Sequence, residues 1–416
     1  MLKRAVLVLP LFGILSVCAM PQSYCPATSR KMACELPIAT NTFGTGAAAP
    51  FNSTFALELS QLPLASAGSG FALTFDKAGN LTVASQDLGP VLTQRAGTIG
   101  KHKLFLAFSY QLFRFDSIDG TSLNHVPLVF NAGQVKGTSP PITDVGQTYN
   151  HIDARINQYV AQATFGLTDW ADITIALPFE RVSMGVTTYG TEYFVSTTGL
   201  VGQPVPISKR FTRGSASGIS DMVLNLKVAP WKWEHFAMAM GVEFRIPTGD
   251  ELNYLGSGAL GWKPYIVLSR PGRITPHVNV GYQWSATSDI YPHVPVNSQD
   301  HQTGNNVLPD VFSYAAGAEA SVVSRFTLSA DFVGQRYIDA PRLLLRTNTQ
   351  AYLNDIKVAN SGLTGVTESY SADNLSAGAK VRIKGSLLFT GNALIKLDDG
   401  GLRAKVVPLA GLSYTF

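Results

Sequence analysis

The sequence predicts an all-β fold, a transmembrane antiparallel up-and-down β-barrel of about twelve strands. Three observations predict it: a low content of charge, long runs of alternating apolar and polar residues, and connections that alternate between short and long. Charged residues make up 14% of the 416 residues, against about 25% in an ordinary soluble protein, while hydrophobic residues remain at 45%. A chain with so little charge must hide much of its surface from water or face lipid.

Residues 1–19 are predicted to be a secretory signal peptide. Lys3 and Arg4 precede an apolar run, and Val17-Cys18-Ala19 is a small-residue cleavage pattern. A lipid anchor at Cys18 is the alternative, although Val17 stands where lipoprotein signals carry a smaller residue. No later stretch is apolar enough for a spanning helix. Because only helices and closed barrels satisfy their backbone hydrogen bonds in lipid, the chain is expected in a bacterial outer membrane.

Residues 20–101 form an N-terminal segment rich in Ala, Gly, Ser, Thr and Pro, without long alternation. The runs 71–75 and 81–84 predict a short hairpin whose arms cannot span a bilayer. We expect a periplasmic extension or a plug inside the barrel, with an extra strand pair as a third arrangement. Cys25 and Cys34 predict a short disulfide or two free thiols, since their spacing is not that of metal ligands.

Residues 102–416 carry the alternation that predicts the barrel. The run 236–246 reads FAMAMGVEFRI, with apolar side chains at every even position, which is the period of a strand with one apolar face. Such strands exceed the usual five or six residues and approach the roughly 9 to 11 that a tilted strand needs to cross a bilayer. The candidate strands cover residues 102–115, 153–165, 170–182, 218–229, 234–247, 261–270, 274–285, 312–323, 326–337, 373–384, 387–397 and 403–416.

The connections between these strands alternate in length. Those near residues 168, 231, 272, 324 and 385 are tight, whereas 116–152, 183–217, 286–311 and 338–372 are long and polar. Short periplasmic turns and long outer loops are the asymmetry of bacterial barrels, and an even strand number places both termini in the periplasm. A soluble β-sandwich, the alternative, needs no such order and would require a very large apolar core.

Aromatic residues near the strand ends predict girdles at the two membrane interfaces. The last strand alternates to a terminal Phe416, a pattern that resembles the signal read by the outer-membrane barrel assembly machinery. The expected partners are therefore outer-membrane lipid, this machinery and a small-molecule solute. The net charge of +4 and the lack of a Lys/Arg-rich run give no support for nucleic acid.

Strand parity also predicts which charged side chains line the lumen. If the apolar faces meet lipid, the inward list is Glu180, Asp221, Lys227, Glu243, Arg245, Lys263, His277, Glu319, Asp331, Lys380, Arg382, Lys396 and Lys405. Opposite charges on neighbouring strands predict either a paired network that stabilises a narrow barrel or a polar path that selects solutes, and the two are compatible. Lys380, Arg382, Lys396 and Lys405 are predicted to form the most basic wall.

Several motifs between about residues 152 and 285 suggest a family. They are Gly218-Ile219-Ser220-Asp221, Ile246-Pro247-Thr248-Gly249-Asp250, Leu255-Gly256-Ser257-Gly258 and Gly281-Tyr282. In this order they resemble the outer-membrane barrels associated with the meta-cleavage pathway of phenol degradation. The resemblance implies a porin-like transporter that admits hydrophobic or aromatic compounds, as the long-chain fatty-acid channels do, and it carries over no catalytic residue.

An enzyme is not expected, and no cofactor is expected. The sequence contains none of the usual hydrolase, metalloprotease or phosphate-binding motifs. His277 alone among the histidines falls at an inward position of a predicted strand, where a polar lumen residue is the simpler interpretation than a catalytic base. Asp250 and Glu251 lack the further ligands of a metal site. An adhesive or structural barrel acting through its long outer loops is the alternative to a channel.

Overall fold

The computed structural model describes the chain from residue 92 to the end with short gaps, and only parts of what precedes it. The described residues are 31–35, 55, 57–59, 62, 73–75, 81–83, 92–135, 137–139, 142–196, 199–200, 203–233, 236–290, 307–323, 325–351 and 357–416. The predicted signal peptide and Cys25 lie outside them. The predicted disulfide therefore remains a prediction.

Twelve antiparallel strands form a closed barrel. We number them β1 Leu104–Phe115, β2 Ile142–Thr168, β3 Ala171–Ser196, β4 Met222–Lys232, β5 Ala237–Ile246, β6 Gly261–Ser269, β7 Ile274–Ser285, β8 Asp310–Val323, β9 Phe326–Ala351, β10 Lys357–Lys384, β11 Leu387–Lys396 and β12 Val406–Thr415. Each strand pairs with its neighbours in sequence, and β12 pairs with β1, which closes the ring. The all-β barrel class and the strand number predicted from the sequence are confirmed.

Four strands are much longer than predicted. β2 and β3 have 27 and 26 residues, and β9 and β10 have 26 and 28. A strand needs only about 9 to 11 residues to cross a bilayer, so these two pairs of strands project beyond the wall at the end that carries the long loops. We call this end the loop end and the opposite end, with the tight connections, the turn end.

Shorter elements decorate the loop end. Val126–Val135 pairs with β2, and Val205–Ile219 pairs with β3, so that segments predicted as loops extend the projecting sheet. The remaining strands are Ser117–Ile118, Thr121–Ser122 and Leu402–Arg403 in a small sheet, Gly199–Leu200 on β3, and the separate pair Leu73–Phe75 with Leu81–Val83. One helical turn covers Met32–Glu35, and a 3₁₀ turn covers Glu251–Asn253.

The two faces of the barrel wall differ as parity predicts. On β3, for example, Ile175, Leu177 and Phe179 are exposed on the outside, whereas Thr174 and Glu180 are buried inside. Trp262 and Trp284 are directly opposed on β6 and β7 and stack with ring centroids 4.4 Å apart near the loop end. In the described part of the chain, no helix is long and apolar enough to span a membrane.

Several described residues of the N-terminal segment contact the inside of the barrel or the loops that cover it. At the loop end, the backbone N–H of Met32 donates to Asn253, and Phe55 packs edge-on against Tyr254 at 6.3 Å. At the turn end, residues 92–100 contact inward-facing side chains of several strands before the chain enters β1. The interior is therefore filled partly by the chain's own N-terminal part.

Candidate functional site

The turn end of the interior contains a buried ionic cluster built around Arg95. Its Nε donates to Glu319 Oε1 at 2.7 Å, and its second guanidinium nitrogen contacts Glu319 Oε2. His277 Nε2 lies 2.7 Å from Asp331 Oδ1 and 2.9 Å from Thr93 Oγ1. Three sequence-predicted inward residues from β7, β8 and β9 thus meet two residues of the N-terminal segment.

The segment 92–100 is held along its length by side chains of the wall. Asn279 on β7 accepts from the backbone N–H of Gln94 at 3.0 Å and donates to the Gln94 carbonyl at 3.1 Å. Ser269 on β6 accepts from the N–H of Ala96, and Asp172 on β3 accepts from the N–H of Ile99. These contacts satisfy backbone groups that form no strand ladder, which explains how an irregular segment can be buried.

Two lysines predicted to face the lumen are buried at the same end. Lys227 Nζ on β4 lies 3.9 Å from Asp172 Oδ2. Lys380 on β10 is 3% exposed and interacts electrostatically with Glu319 and Asp331. The alternating signs around the ring keep each buried charge near an opposite one, as burial of charge requires.

The middle of the barrel encloses a cavity of about 240 Å³. Aromatic and apolar side chains line part of it, and polar or charged ones line the rest. Its lining includes Phe113, Phe115, Tyr265, Tyr337, Leu394, Ala315, Asn225, Glu243, Arg245 and Lys263. Lys263 Nζ lies 2.7 Å from Glu243 Oε1, with about a fifth of each side chain exposed, so the cavity holds a charge pair rather than a single sign.

A polar ladder crosses three strands beside this cavity. Gln111 on β1 donates to Gln158 on β2 at 3.1 Å, and Gln158 donates to Glu180 on β3 at 2.9 Å. All three side chains are buried. Glu180, which parity places inside, therefore accepts from the Gln158 amide and from the Ser220 side chain and forms no salt bridge with a described residue of a neighbouring strand.

The loop end of the interior is organised by Asp119, which lies in the turn after β1 and whose side chain is 1% exposed. Its carboxylate accepts from Arg342 Nε at 2.8 Å, from the N–H of Leu343 at 2.8 Å and from the N–H of Gly401 at 3.0 Å. These donors come from β9 and from the loop before β12. Asp119 thus joins three outer segments by one carboxylate.

Glu58 of the N-terminal segment is buried next to this junction. Burial, and secondarily the charge of Asp119, raise the pKa of Glu58 to about 8, partly offset by a backbone hydrogen bond and two arginines. Gly401 adopts a φ of +72°, and a Cβ there would lie 2.6 Å from Glu58 Oε2. A neutral, protonated Glu58 therefore fits against the Gly401 backbone at neutral pH.

The motifs that suggested a family come together around Asp221, which stands directly before β4. Its Oδ2 accepts from the N–H of Ser257 at 2.7 Å and from the Ser257 hydroxyl at 2.5 Å. Thr248 Oγ1 accepts from the N–H of Met222 and donates to the carbonyl of Ser220. Parity places Asp221 among the lumen charges, but its contacts are those of a carboxylate that holds the β5–β6 loop.

The predicted basic wall does not exist as one surface. Lys380 pairs with Thr390 and Lys396 with Asn374, so that the two lysines are six residues apart along β10 (380 − 374), about 20 Å at strand spacing. Arg382 lies beyond Lys380 toward the turn end, whereas Lys396 donates to Ser117 and Asp399 at the loop end. Lys405 precedes β12 and is exposed. Parity assigns a face to a side chain but not its height along the barrel.

The geometry around His277 does not resemble a catalytic triad. In such a triad the nucleophile and the acid contact different ring nitrogens, whereas here Thr93 and Asp331 both approach Nε2. The imidazole is also almost completely buried, at 2% exposure. Among the described residues, no group of three or more His, Cys, Asp or Glu side chains could hold a metal ion.

Three residues important for the interior were not predicted from the sequence: Arg95, Glu58 and Asp119. A signal exists for one of them, because Glu58 is the only charged residue between positions 36 and 75. An isolated charge in such a stretch suggests a specific buried partner. Arg95 and Asp119 carry no comparable pattern, since their partners are distant in sequence.

A closed ring of twelve antiparallel strands, apolar outside and polar inside, defines a transmembrane β-barrel with a partly hollow interior. The family model described as "Putative MetA-pathway of phenol degradation" matches residues 144–401, and the chain belongs to this family. The resemblance stated from the motifs is thereby confirmed. No curated protein matches the chain.

Solved structures show weak overall similarity. An outer membrane channel from Pseudomonas putida F1 is 11% identical with a TM-score of 0.43, and the alignment covers 79% of this chain and 100% of that one. The NanC porin is 9% identical with a TM-score of 0.35, covering 65% and 98%. A Pseudomonas aeruginosa FadL homologue is 11% identical with a TM-score of 0.34, covering 84% and 99%. At these values the similarities carry no information about a substrate.

Proposed function

We propose that the protein is an outer-membrane channel for passive uptake of small solutes with apolar or aromatic character. The observation that carries this proposal is the central cavity, in which aromatic rings and polar groups line the same space. A cavity of about 150 Å³ accommodates benzene. The cavity of about 240 Å³ therefore has room for a substituted single ring.

The cavity lining carries both signs of charge, which supports a neutral or zwitterionic solute. Glu243 and Lys263 neutralise each other at 2.7 Å, so neither sign of net charge is favoured by this pair. The hydroxyl of Tyr265 donates to Asn225 at 2.8 Å, which leaves the ring face as the surface available to a ligand. Aromatic faces combined with a few placed polar groups are typical of small-molecule sites.

We infer that residues 92–100 act as a plug at the turn end. The contacts of Arg95, Gln94 and Ala96 occupy the interior between the cavity and that end. A solute that leaves toward the periplasm must displace this segment or pass beside it. Permeability on the scale of a general porin is therefore not expected.

The channel proposal is tested by solute flux in proteoliposomes. Swelling rates would be compared for phenylalanine, serine and arabinose, and we expect the aromatic solute to enter faster than size alone predicts. Ala315→Trp fills the cavity and should reduce the flux several-fold. The matched control is Ala316→Trp, because Ala316 is the next residue of β8 and faces outward. Equal flux in the two variants, or none in the wild type, would contradict the proposal.

We also infer that β12 carries the signal for the assembly machinery. Phe416 is 67% exposed, and its ring packs edge-on against Tyr414 at 4.6 Å on the outside of the turn end. Phe416→Ala should lower the amount of heat-modifiable barrel in outer membranes without changing the refolded protein. An unchanged amount in membranes would contradict this role.

An adhesive or structural role is the second candidate, and one observation favours it. The projecting parts of β2 and β3 with the flanking strands Val126–Val135 and Val205–Ile219 form a sheet far larger than a pore requires. A barrel that stays closed to every tested solute but loses surface binding when this sheet is shortened would support that role over transport.

A further inference from the structure

The outer wall at the loop end carries a cluster of arginines for which transport offers no use. They are Arg114 on β1, Arg155 on β2, Arg181 on β3 and Arg213 on the strand Val205–Ile219, and we call them the outer arginine patch. All four are exposed. We propose that this patch binds the phosphate groups of a phosphorylated glycolipid in the outer leaflet. The proposal rests on the proposed outer-membrane location and not on the solute path.

Strand register places the arginines together on one face. Arg114 is directly opposite Arg155 in the β1–β2 pair. Arg155 is opposite Ser183 on β3, and Arg181 is two residues along the same face from Ser183. Directly opposed side chains lie about 5 Å apart at Cβ and diagonal ones about 7–8 Å apart. Three guanidinium groups can therefore converge on one anion.

Arg213 extends the patch toward the tip of the projecting sheet. It is directly opposite Gly185 on β3. This pair lies two residues closer to the loop end than the opposed pair Ser183 and Ser215. The absence of a side chain at Gly185 leaves room there, and the Phe211 ring lies 3.5 Å from the Cβ that a larger residue would have. Phe211 itself is 65% exposed, which adds an apolar surface beside the fourth arginine.

The patch contains one acid, Asp153, for four arginines, and this excess of positive charge is the second observation that points to an anionic ligand. In the part of the chain that the structure describes, no carboxylate pairs with Arg114, Arg181 or Arg213. Arg155 alone forms a salt bridge, with Asp153 at 2.7 Å, and both groups are about half exposed. Like charges directly opposed on a sheet are destabilising. A bound dianion would remove this cost.

The height of the patch on the wall matches a lipid headgroup. Tyr110 and Tyr159 are opposed on β1 and β2, with ring centroids 5.0 Å apart, and Tyr159 is opposite Phe179 on β3. Exposed aromatic rings of this kind mark the membrane interface. The arginines of β1, β2 and β3 stand two to four residues closer to the loop end than this row, a distance along the strand that places them at headgroup level.

The rest of the outer wall differs at the same height. On β7 and β8, the Tyr282 hydroxyl donates to Asp310 at 2.9 Å. On β8 and β10, the Tyr314 hydroxyl donates to Asp373 at 2.7 Å. Acidic residues with tyrosine donors thus occupy that side. Arg336 on β9 is also exposed there, but its directly opposed neighbours are Phe312 and Ser371, so opposed arginines at this height are confined to one sector of the described wall. This restriction favours one specifically placed lipid over a uniform charged belt.

Arginine is the side chain suited to this ligand. Its planar guanidinium binds phosphate through two parallel hydrogen bonds and is more weakly hydrated than a lysine ammonium. A glycolipid with two phosphates could contact the converging group of three and the separate Arg213 at once, with its acyl chains on the apolar wall below. A free phosphate ion would gain nothing from that wall.

The test is lipid binding to the purified full-length protein in detergent. Native mass spectrometry would measure retention of bisphosphorylated lipid A, the same lipid without phosphates, phosphatidylglycerol and inorganic phosphate. The triple variant Arg114→Gln, Arg181→Gln, Arg213→Gln should bind bisphosphorylated lipid A on the order of a hundredfold more weakly. The matched control is Arg270→Gln, Arg273→Gln, Arg325→Gln, which removes three exposed arginines at the turn end.

Retention of affinity in the control and its loss in the triple variant would support the site. Equal binding by the triple variant, equal binding of the dephosphorylated lipid, or equal loss in the control would overturn it. Phosphatidylglycerol or inorganic phosphate binding as tightly as lipid A would also overturn the commitment to a glycolipid. Heat-modifiable migration checks folding, and Arg181→Gln alone serves if the triple variant does not fold. Solute flux through the triple variant separates this result from the channel proposal.

Discussion

Arg95 and Glu319 form a bidentate salt bridge inside the barrel, between the N-terminal segment and β8. Nε donates to Oε1 at 2.7 Å, and the side chains are only 5% and 1% exposed. Breaking a buried pair by removal of one partner costs about 3–5 kcal/mol, because the remaining charge stays buried without compensation. This pair is therefore the strongest single attachment of residues 92–100 to the wall.

Arg95→Ala should release the segment 92–100 and raise the single-channel conductance of the reconstituted protein. Glu319→Ala should also raise the conductance. The double variant should lose less folding stability than the sum of the losses in the two single variants, because it leaves no unpaired buried charge. Planar-bilayer recordings and a double-mutant cycle on the thermal transition measure both effects. The idea of a plug anchored here fails if conductance is unchanged in all three variants.

The raised pKa of Glu58 predicts that the free energy of unfolding depends on pH. Its pKa is raised from 4.5 to about 8, so between these values the folded protein holds a proton that the unfolded chain has released. The contribution of Glu58 to the free energy of unfolding therefore falls as pH rises from about 4.5 to about 8 and is constant above. Glu58→Gln should stabilise the protein at pH 9 by several kcal/mol and change little at pH 4.

Thermal transitions across that pH range, followed by the loss of heat-modifiable migration, measure this effect. The wild type should lose stability toward pH 9 more steeply than Glu58→Gln. Parallel curves for the two proteins would contradict a buried protonated carboxyl at this position.

Substitution of Asp119 should cause a local loss of order at the loop end. Asp119→Ala removes the acceptor for Arg342, Leu343 and Gly401, at a cost of about 3 kcal/mol or more. Hydrogen exchange should accelerate in residues 340–345 of the projecting part of β9 and in residues 400–403, with the rest of the barrel wall unaffected. The control is Asp399→Ala in the loop before β12, because the Asp399 side chain is 64% exposed and its ion pair should matter by at most about 1 kcal/mol. Similar exchange in both variants would contradict the role of Asp119.

The cavity charge pair predicts the ion selectivity of residual conductance. Glu243→Gln leaves Lys263 uncompensated and should shift the reversal potential in a KCl gradient toward anions. Lys263→Met should shift it toward cations, and the double variant should return close to the wild type. Reversal potentials that do not move in either single variant would mean that ions do not pass this cavity.

The sequence predicted the wall of the barrel well because lipid imposes a simple rule. In the bilayer every second side chain must be apolar and every backbone group paired, so alternation revealed all twelve strands and the face of each residue. The predicted bounds of four strands were too short because this rule does not apply outside the bilayer. These strands are β2, β3, β9 and β10. The strand Val205–Ile219 has no buried residue. It therefore lacks the apolar periodicity by which a strand is recognised in a sequence.

Heights and partners within the interior were the least predictable. Lys380 and Lys396 share a face but lie near opposite ends, and Asp221 serves a loop although parity places it inside. Parity is a property of one strand, whereas height depends on the register of the entire sheet.

Composition, period and loop lengths by themselves determined the all-β transmembrane class, the strand number and the alternation of inner and outer faces, since each follows from local chemistry against lipid. The tertiary structure alone decided that Arg95 meets Glu319, that Glu58 meets the junction at Asp119, and that four arginines from separate strands share one sector. Those contacts join residues distant in the chain, and they arise only when the ring closes in one register around the N-terminal segment.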